Sequence, residues 1–358
     1  MPDGIAGGGK PGVLMTTDAV GGVWRYTLDL AAGFAQRGVP AVLAVLGPPA
    51  SPSQRAEAAA FGLPLVETGL PLDWTAESPA ELAYATAGLI RLAAEAGATG
   101  AHLHAPALVG EGDWPQPVVT VAHSCVATWW QAVQGGSMPD DFSWRTAATR
   151  AGLHAAAAVI APSAAHAAAL QQAYGPVPVR VVHNGTRAPT QTAGRRRRAV
   201  LTAGRLWDAG KRVAALDRVA PRLGAPIRAA GPVAGPNGDL VLLPNLDLLG
   251  TLDQAGMAGA FAGASVFCSM AHYEPFGLAV LEAAGAGMRL VLSDIPSFRE
   301  LWAGAATLVP DETALLPALQ AALDRPGDGG AQARAARYTI GAMVDATLAI
   351  HRSVGARV

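Results

Sequence analysis

The chain has 358 residues, 51 % of them apolar and 15 % charged, with a formal net charge of −1. That length exceeds one ordinary core and suits two domains; the composition is globular and not disordered. The near-zero charge supplies no global field to draw in nucleic acid or an anionic membrane.

Residues 13–16 read as a short strand, followed by Asp18, Gly21 and Gly22 and an amphipathic stretch over 26–37 that Gly38 closes. The next strand is 41–46. Ser78-Pro79-Ala80-Glu81 predicts a capping box with proline at the first helical position, opening a helix to about residue 96. Runs 101–104 and 118–123 are strand-like, and 157–161 leads to Pro162-Ser163, where Ser163 caps an Ala-rich helix through Leu170. Run 179–182 ends in the turn signal His183-Asn184-Gly185. Over 186–198 the composition shifts to Thr, Pro, Gln and Gly and then four arginines at 195–198, an interdomain linker. A second alternating series follows: strand 199–202, a helix from Arg212, strands 227–230 and 246–249, and a helix from Asp253. Strand 265–270, a small-residue helix over 283–287, strand 290–292, a helix from Glu312 and a last helical stretch over 334–351 complete it. Alternation in both halves predicts two parallel doubly wound sheets, with domains at 1–185 and 199–333 and a C-terminal segment at 334–358.

Apolar runs break at His, Pro or charge well before the ~18 residues of a membrane span. The Gly/Pro-rich opening lacks the order of a signal peptide. Cys125 and Cys268 lie in apolar runs and read as buried free thiols of a reducing compartment, so a cytoplasmic protein is expected.

The most informative stretch runs Glu274-Pro275-Phe276-Gly277-Leu278-Ala279-Val280-Leu281-Glu282. It places two carboxylates eight positions apart across a loop-to-helix junction at a sheet's carboxyl edge, a layout for gripping a ligand. Helical Cβ atoms lean toward the N-terminus, so Glu282 should project back toward Glu274. Two fixed acceptors suit a polyhydroxylated ligand, and the helix N-terminus suits its phosphates. Gly204-Arg205-Leu206 ends a strand, and Lys211 follows at a helix start, where a lysine is unfavourable unless an anion meets it. The plain alternative is two solvated charges. Gly21-Gly22 is either a tight turn or a close approach for a ligand. His123-Ser124 ends a buried strand, where a lone histidine is more often a satisfied core group. Trp24, Trp129, Trp130 and Trp207 sit beside these loops and either stack on sugar rings or pack in the core. His102, His104 and His183, without a Cys/Asp pattern, do not read as a metal site, nor does Asp140-Asp141.

The run from Glu274 to Leu278, then Leu281-Glu282-Ala283, Gly287 and Ser293-Asp294, resembles the donor signature of the family 4 retaining glycosyltransferases, the E-x7-E motif. The resemblance extends in order along nearly the whole chain. It implies the GT-B architecture: two Rossmann-like domains facing across a cleft, a nucleotide-sugar held mainly by the second, and a C-terminal helix crossing back to the first. It implies that Gly21 and Gly22 face the donor and that His123 lies near the transferred sugar. The family often has His-Asp there; this chain has Ser124. Arg205 and Lys211 would meet the donor phosphates, Glu274 the sugar hydroxyls and Glu282 the ribose. Main-chain groups of Phe276, Gly277 and Leu278 would meet sugar and phosphates, and those of Thr251 and Leu252 the nucleobase. His123, Arg205, Lys211 and Glu274 are thus the expected catalytic set, with Trp24, Trp129 and Trp130 on the acceptor side. No metal is expected, and no cofactor beyond the nucleotide-sugar co-substrate, with UDP the common choice among relatives. The acceptor is a small molecule, glycan or lipid, chosen by loops around Trp24, 70–74 and 126–144. No nucleic-acid partner is expected. A solvated linker is preferred over a peripheral lipid contact for the arginines at 195–198. The competing readings are a sugar-nucleotide epimerase or phosphorylase on the same fold, or a nucleotide-sugar-binding protein without turnover.

Overall fold

The computed structural model describes residues 12–110, 112–187, 197–235, 238–325, 327 and 329–358. The chain divides into two compact units, one of residues up to Gln131, Gly135–Gly185 and Ile340–Val358, the other of Ala132–Gln134 and Thr186–Thr339.

In chain order the first series is β1 (Val13–Asp18), α1 (Gly22–Gln36), β2 (Ala41–Leu46), α2 (Pro52–Ala60), β3 (Leu65–Glu67), α3 (Pro79–Glu95), β4 (Gly100–Leu103), β5 (Val118–Val121), α4 (Val126–Val133), α5 (Asp140–Ala155), β6 (Ala158–Ala161), α6 (Ala164–Tyr174) and β7 (Val179–Val181). The second is β8 (Val200–Ala203), α7 (Val213–Leu223), β9 (Ile227–Ala230), β10 (Asp247–Gly250), α8 (Gln254–Ala262), β11 (Val266–Ser269), α9 (Leu278–Gly285), β12 (Arg289–Ser293), α10 (Pro296–Trp302), β13 (Thr307–Val309), α11 (Leu315–Asp324), α12 (Gly330–Ala335) and α13 (Ile340–Ser353). Seven strands form one sheet in the order β3-β2-β1-β4-β5-β6-β7, and six form the other in the order β10-β9-β8-β11-β12-β13. All the pairings between these strands are parallel. Parallel strands need crossover helices, which cover both faces, so the strands are continuous apolar runs. Each unit is therefore a Rossmann-like doubly wound sheet. Strand order reverses between β1 and β4 and between β8 and β11, and ligand crevices open beyond the carboxyl ends at such points.

Local chemistry explains where elements begin. Ser163 caps α6 by accepting the His166 N–H at 3.1 Å, and Asp253 caps α8 through the Gly256 N–H at 2.8 Å. The box at Ser78 is only half formed: Ser78 accepts from the Glu81 N–H, while the Glu81 carboxylate accepts from the N–H of Glu77 at 3.0 Å instead. A complete box lies at Ser51 and Gln54, opening α2.

Several expectations are corrected. The region 126–144, read as loops, holds α4 and the start of α5. The helix expected from Glu312 begins as a 3-10 turn capped by Asp311 and becomes α11 at Leu315. The small-residue helix starts at Leu278, not Ala283. The stretch 334–351 is not one helix, because the chain breaks between α12 and α13, where Tyr338 packs edge-on against Phe276 at 5.8 Å and against Trp302 at 6.0 Å. Cys268 is buried and unpaired, but Cys125 is only half-buried. In the first unit α13 lies on α1 so closely that a Cβ at Gly33 would stand 2.3 Å from Val344 Cγ2. Of the linker, 188–196 lies outside the described residues. Arg198 is docked on the second unit, donating to Asp324 at 2.8 Å and to the Gly224 carbonyl at 3.0 Å. Among the described residues no helix is long and apolar enough to cross a membrane.

Candidate active site

In the second unit the site grows from the neighbouring strands β8 and β11. Two glycines shape the end of β8. Gly204 has φ +145, and Gly231, with φ +137, lies against it so tightly that a Cβ there would stand 1.8 Å from the Gly204 carbonyl oxygen. Only glycine fits such a place. Gly231→Ala is expected to cost about 3 kcal/mol or more in urea unfolding, because both the backbone conformation and the contact are violated.

Beyond Gly204, the nearly buried Asp208 (7 % exposed) accepts from Arg205 Nη2 at 3.1 Å and from the Gly210 N–H at 2.9 Å. It thus holds both the guanidinium and the 3-10 turn Ala209–Lys211. Arg205 also lies 5.7 Å from the Trp207 ring. Lys211 ends that turn two residues before α7 begins, not inside a helix start as expected. Between them stands Arg212, the one non-glycine residue with positive φ (50°) among those described. Its guanidinium is taken by His272 and Glu312, and Arg218 also binds Glu312, at 2.6 Å.

The loop after β11 is stitched to this turn. The N–H groups of His272 and Tyr273 donate to the Gly210 carbonyl at 2.8 and 3.3 Å, and Ser297 Oγ donates to the Glu274 carbonyl at 2.5 Å. Lys211 Nζ then donates to Glu274 Oε2 at 2.6 Å, each side chain only 19 % exposed. A crevice opens here, lined by Gly204, Arg205, Lys211, Ser269, Glu274 and Ala279. Gly277, at φ +90, opens α9 with no side-chain cap. The Phe276 side chain is core, 3 % exposed. Glu282 is half-buried in the second turn of α9. Exposed Thr251 and half-buried Leu252 follow β10 farther along the same edge; the β10 end is tied in by the Gly231 N–H on the Gly250 carbonyl at 2.8 Å.

In the first unit Gly21 (φ +84) precedes Gly22 at the uncapped start of α1, and Asp18 accepts the Val20 N–H at 2.9 Å. His104 and His123 follow the adjacent strands β4 and β5. His104 Nδ1 and His123 Nε2 are 2.9 Å apart, and Tyr26 stands edge-on to His123 at 4.6 Å. His102 Nδ1 meets His351 Nε2 of α13 at 3.0 Å. Burial, with help from neighbouring imidazoles, pushes His123 down to about 3 and holds His102 and His104 well below the usual histidine range. Burial alone pushes His351 down to about 4. His102 and His104, unplaced from sequence, sit two residues apart and so share one strand face; that spacing was the available signal.

Trp24 does not offer a stacking face. It is 5 % exposed and donates its indole N–H to Glu57 at 3.1 Å, beside Arg25, which binds Glu57 at 2.6 Å. Trp129 and Trp130 are half-buried on α4, their rings 6.3 Å apart. Among the described residues no group of three or more His, Cys, Asp or Glu is arranged to hold a metal ion.

Two parallel doubly wound units, each with its functional loops at the carboxyl edge, define the GT-B class of fold. The sucrose-phosphate synthase of Thermosynechococcus elongatus shares it at a TM-score of 0.77 and 17 % identity, over 98 % of this chain and 100 % of that one. Anabaena HepE, solved with UDP and glucose, shares it at a TM-score of 0.75 and 16 % identity, over 96 % and 100 %. Residues 20–188 match the model of Glycosyltransferase Family 4 and residues 197–325 that of Glycosyl transferases group 1, and the chain belongs to these glycosyltransferases. A glycogen synthase of Mycobacterium tuberculosis is 36 % identical over 96 residues, 26 % of this chain and 23 % of the relative, so the match spans under a quarter of that curated protein.

Proposed function

We propose that the protein transfers a sugar from a nucleoside-diphosphate sugar, UDP in the first instance, to a small-molecule, glycan or lipid acceptor, with retained anomeric configuration and without a metal. The observation that carries this is the Lys211–Glu274 contact at 2.6 Å beside Arg205, at the point where the strand order reverses. A cation for phosphate and a carboxylate for hydroxyls stand side by side there. In this reading the bond from the anomeric carbon to the diphosphate oxygen breaks through an oxocarbenium-like state. Arg205, Lys211 and the uncapped start of α9 offset the charge growing on the leaving group. That electrostatic work is what a divalent ion would otherwise supply. Glu274 holds sugar hydroxyls, Glu282 the ribose, the amides of Phe276, Gly277 and Leu278 the sugar and phosphates, and the main chain at Thr251 and Leu252 the base. Gly21, Gly22 and His123 contribute from the first unit, with Trp129 and Trp130 toward the acceptor. His104 and Tyr26, the ring and hydrogen-bond contacts of His123, are not carboxylates. This favours same-face substitution, with the leaving phosphate taking the acceptor's proton, over a double displacement. UDP is supported by HepE, which was solved with UDP and glucose. Cys125 and Cys268, neither of them in a disulfide, fit a cytoplasmic site of action.

The test is a panel of UDP-, GDP- and ADP-sugars offered with candidate acceptors, following nucleotide release and product anomer. UDP-sugar turnover with retention, unchanged by EDTA, is expected. Donor interconversion without acceptor would mark an epimerase, a need for free phosphate a phosphorylase, and binding without turnover a binding protein.

A further inference from the structure

His104 is held on every side. Its backbone N–H donates to Thr16 Oγ1 at 2.9 Å, and its ring stands edge-on to Tyr26 (5.2 Å, 88°) and to His102 (5.0 Å, 72°). Nδ1 lies 2.9 Å from His123 Nε2, while Nε2 is sealed from solvent without a hydrogen-bond partner among the described residues. Burial keeps both rings neutral at ordinary pH.

Two neutral imidazoles sharing one hydrogen bond have two arrangements. If His123 donates from Nε2, His104 accepts at Nδ1 and must carry its own proton on the sealed Nε2, facing no acceptor. If His104 donates from Nδ1, its sealed Nε2 is a bare lone pair, and His123 carries its proton on Nδ1. Orphaned buried N–H groups are the rarer defect in folded proteins. The bond made by one ring nitrogen sets the state of the other.

We propose that His104 is a positioning residue: it donates Nδ1–H to His123 Nε2 and fixes His123 in the Nδ1–H form, so that His123 presents a hydrogen-bond donor, not a base. Tyr26, edge-on at 4.6 Å, packs against the His123 ring and opposes its turning over. A donor there meets an oxygen of the sugar, and the acceptor's proton must leave by another route, as it does when the departing phosphate takes it. The catalytic consequence rests on His123 contacting the sugar; the tautomer does not.

Ring ¹⁵N NMR of the full-length protein at neutral pH reads the tautomer directly, with His123 assigned by the signals lost in His123→Ala. Nδ1 is expected protonated and Nε2 bare. His104→Asp substitutes an acceptor-only group and should turn His123 to the Nε2–H form. His104→Asn keeps an amide donor and should preserve Nδ1–H. In turnover, His104→Asp should lower kcat by about tenfold or more with little change in the donor KM, while His104→Asn stays within about threefold. The proposal is overturned by an Nε2–H His123 in the unaltered protein, or by equal losses in the Asp and Asn variants, as a space-filling role predicts. Should no nucleotide-sugar be turned over, the NMR result still decides the tautomer, so the two failures are distinguishable.

Discussion

Lys211→Met is expected to lower kcat/KM by about 10²- to 10³-fold, the size of effect seen when one fixed group stabilising transition-state charge is removed. Lys211 is the crevice cation in direct contact with Glu274: Arg212 is engaged by His272 and Glu312, and Arg205, which also lines the crevice, is held by Asp208. Neither neighbour can replace it without breaking its own contacts. The substitution also strands Glu274, 19 % exposed, and a stranded carboxylate of this kind costs roughly 1–3 kcal/mol. Stability and chemistry therefore need separating. Lys211→Met combined with Glu274→Gln removes both charges, so the urea midpoint should recover most of the loss while nucleotide release stays slow. If the double variant regained turnover, neither charge would be needed for the chemistry, and the phosphate role of Lys211 would be wrong.

The fold was legible because parallel strands are buried on both faces and so stand out as apolar runs between glycines. The run 41–46 coincides with β2 for this reason. The Glu274 loop was legible as a site because its spacing marks a strand, a turn and a helix. What could not be read was tertiary. Lys211 and Glu274 were separate candidates until the fold brought them together across 63 positions. Trp24 lay beside a glycine pair, and only Glu57, 33 residues on, shows that its N–H is already engaged within the fold. Helix α5 has little apolar periodicity; it seats by the backbone, where a Cβ at Gly152 would stand 1.8 Å from the Pro106 carbonyl oxygen. The break before α13 follows from Tyr338 packing, and His351 meets His102 across 249 positions, so no local pattern announces either.

That dispersed histidine cluster predicts that the first unit loses stability on acidification below about pH 6.5. His102, His166 and His351 are at most 3 % exposed. Burial pushes His166 and His351 down to about 4 and holds His102 well below the usual histidine range. The unfolded chain takes up protons on these rings near pH 6.5, whereas the folded chain does so only around pH 4 or below. Between those limits the unfolded state binds more protons, so the stability is fully present above pH 6.5 and falls as pH drops through the window. Each ring contributes a slope of about 1.4 kcal/mol per pH unit. These three give roughly 4 kcal/mol per unit, a large share of a typical total of about 5–15 kcal/mol, and His104 and His123, which burial also holds neutral, act in the same direction. Asp73 acts with opposite sign: loss of solvent raises its carboxyl to about 6, so the folded state gains its proton first on acidification. It is one group against five and reduces the slope without reversing it. Urea midpoints between pH 4.5 and 8 measure the effect. His351→Gln keeps an amide nitrogen near His102 but cannot charge, and it should remove about a fifth of the slope. A midpoint that stays flat from pH 7 to 4.5, or a slope untouched by His351→Gln and His166→Gln, would show that these rings are not held neutral by the fold.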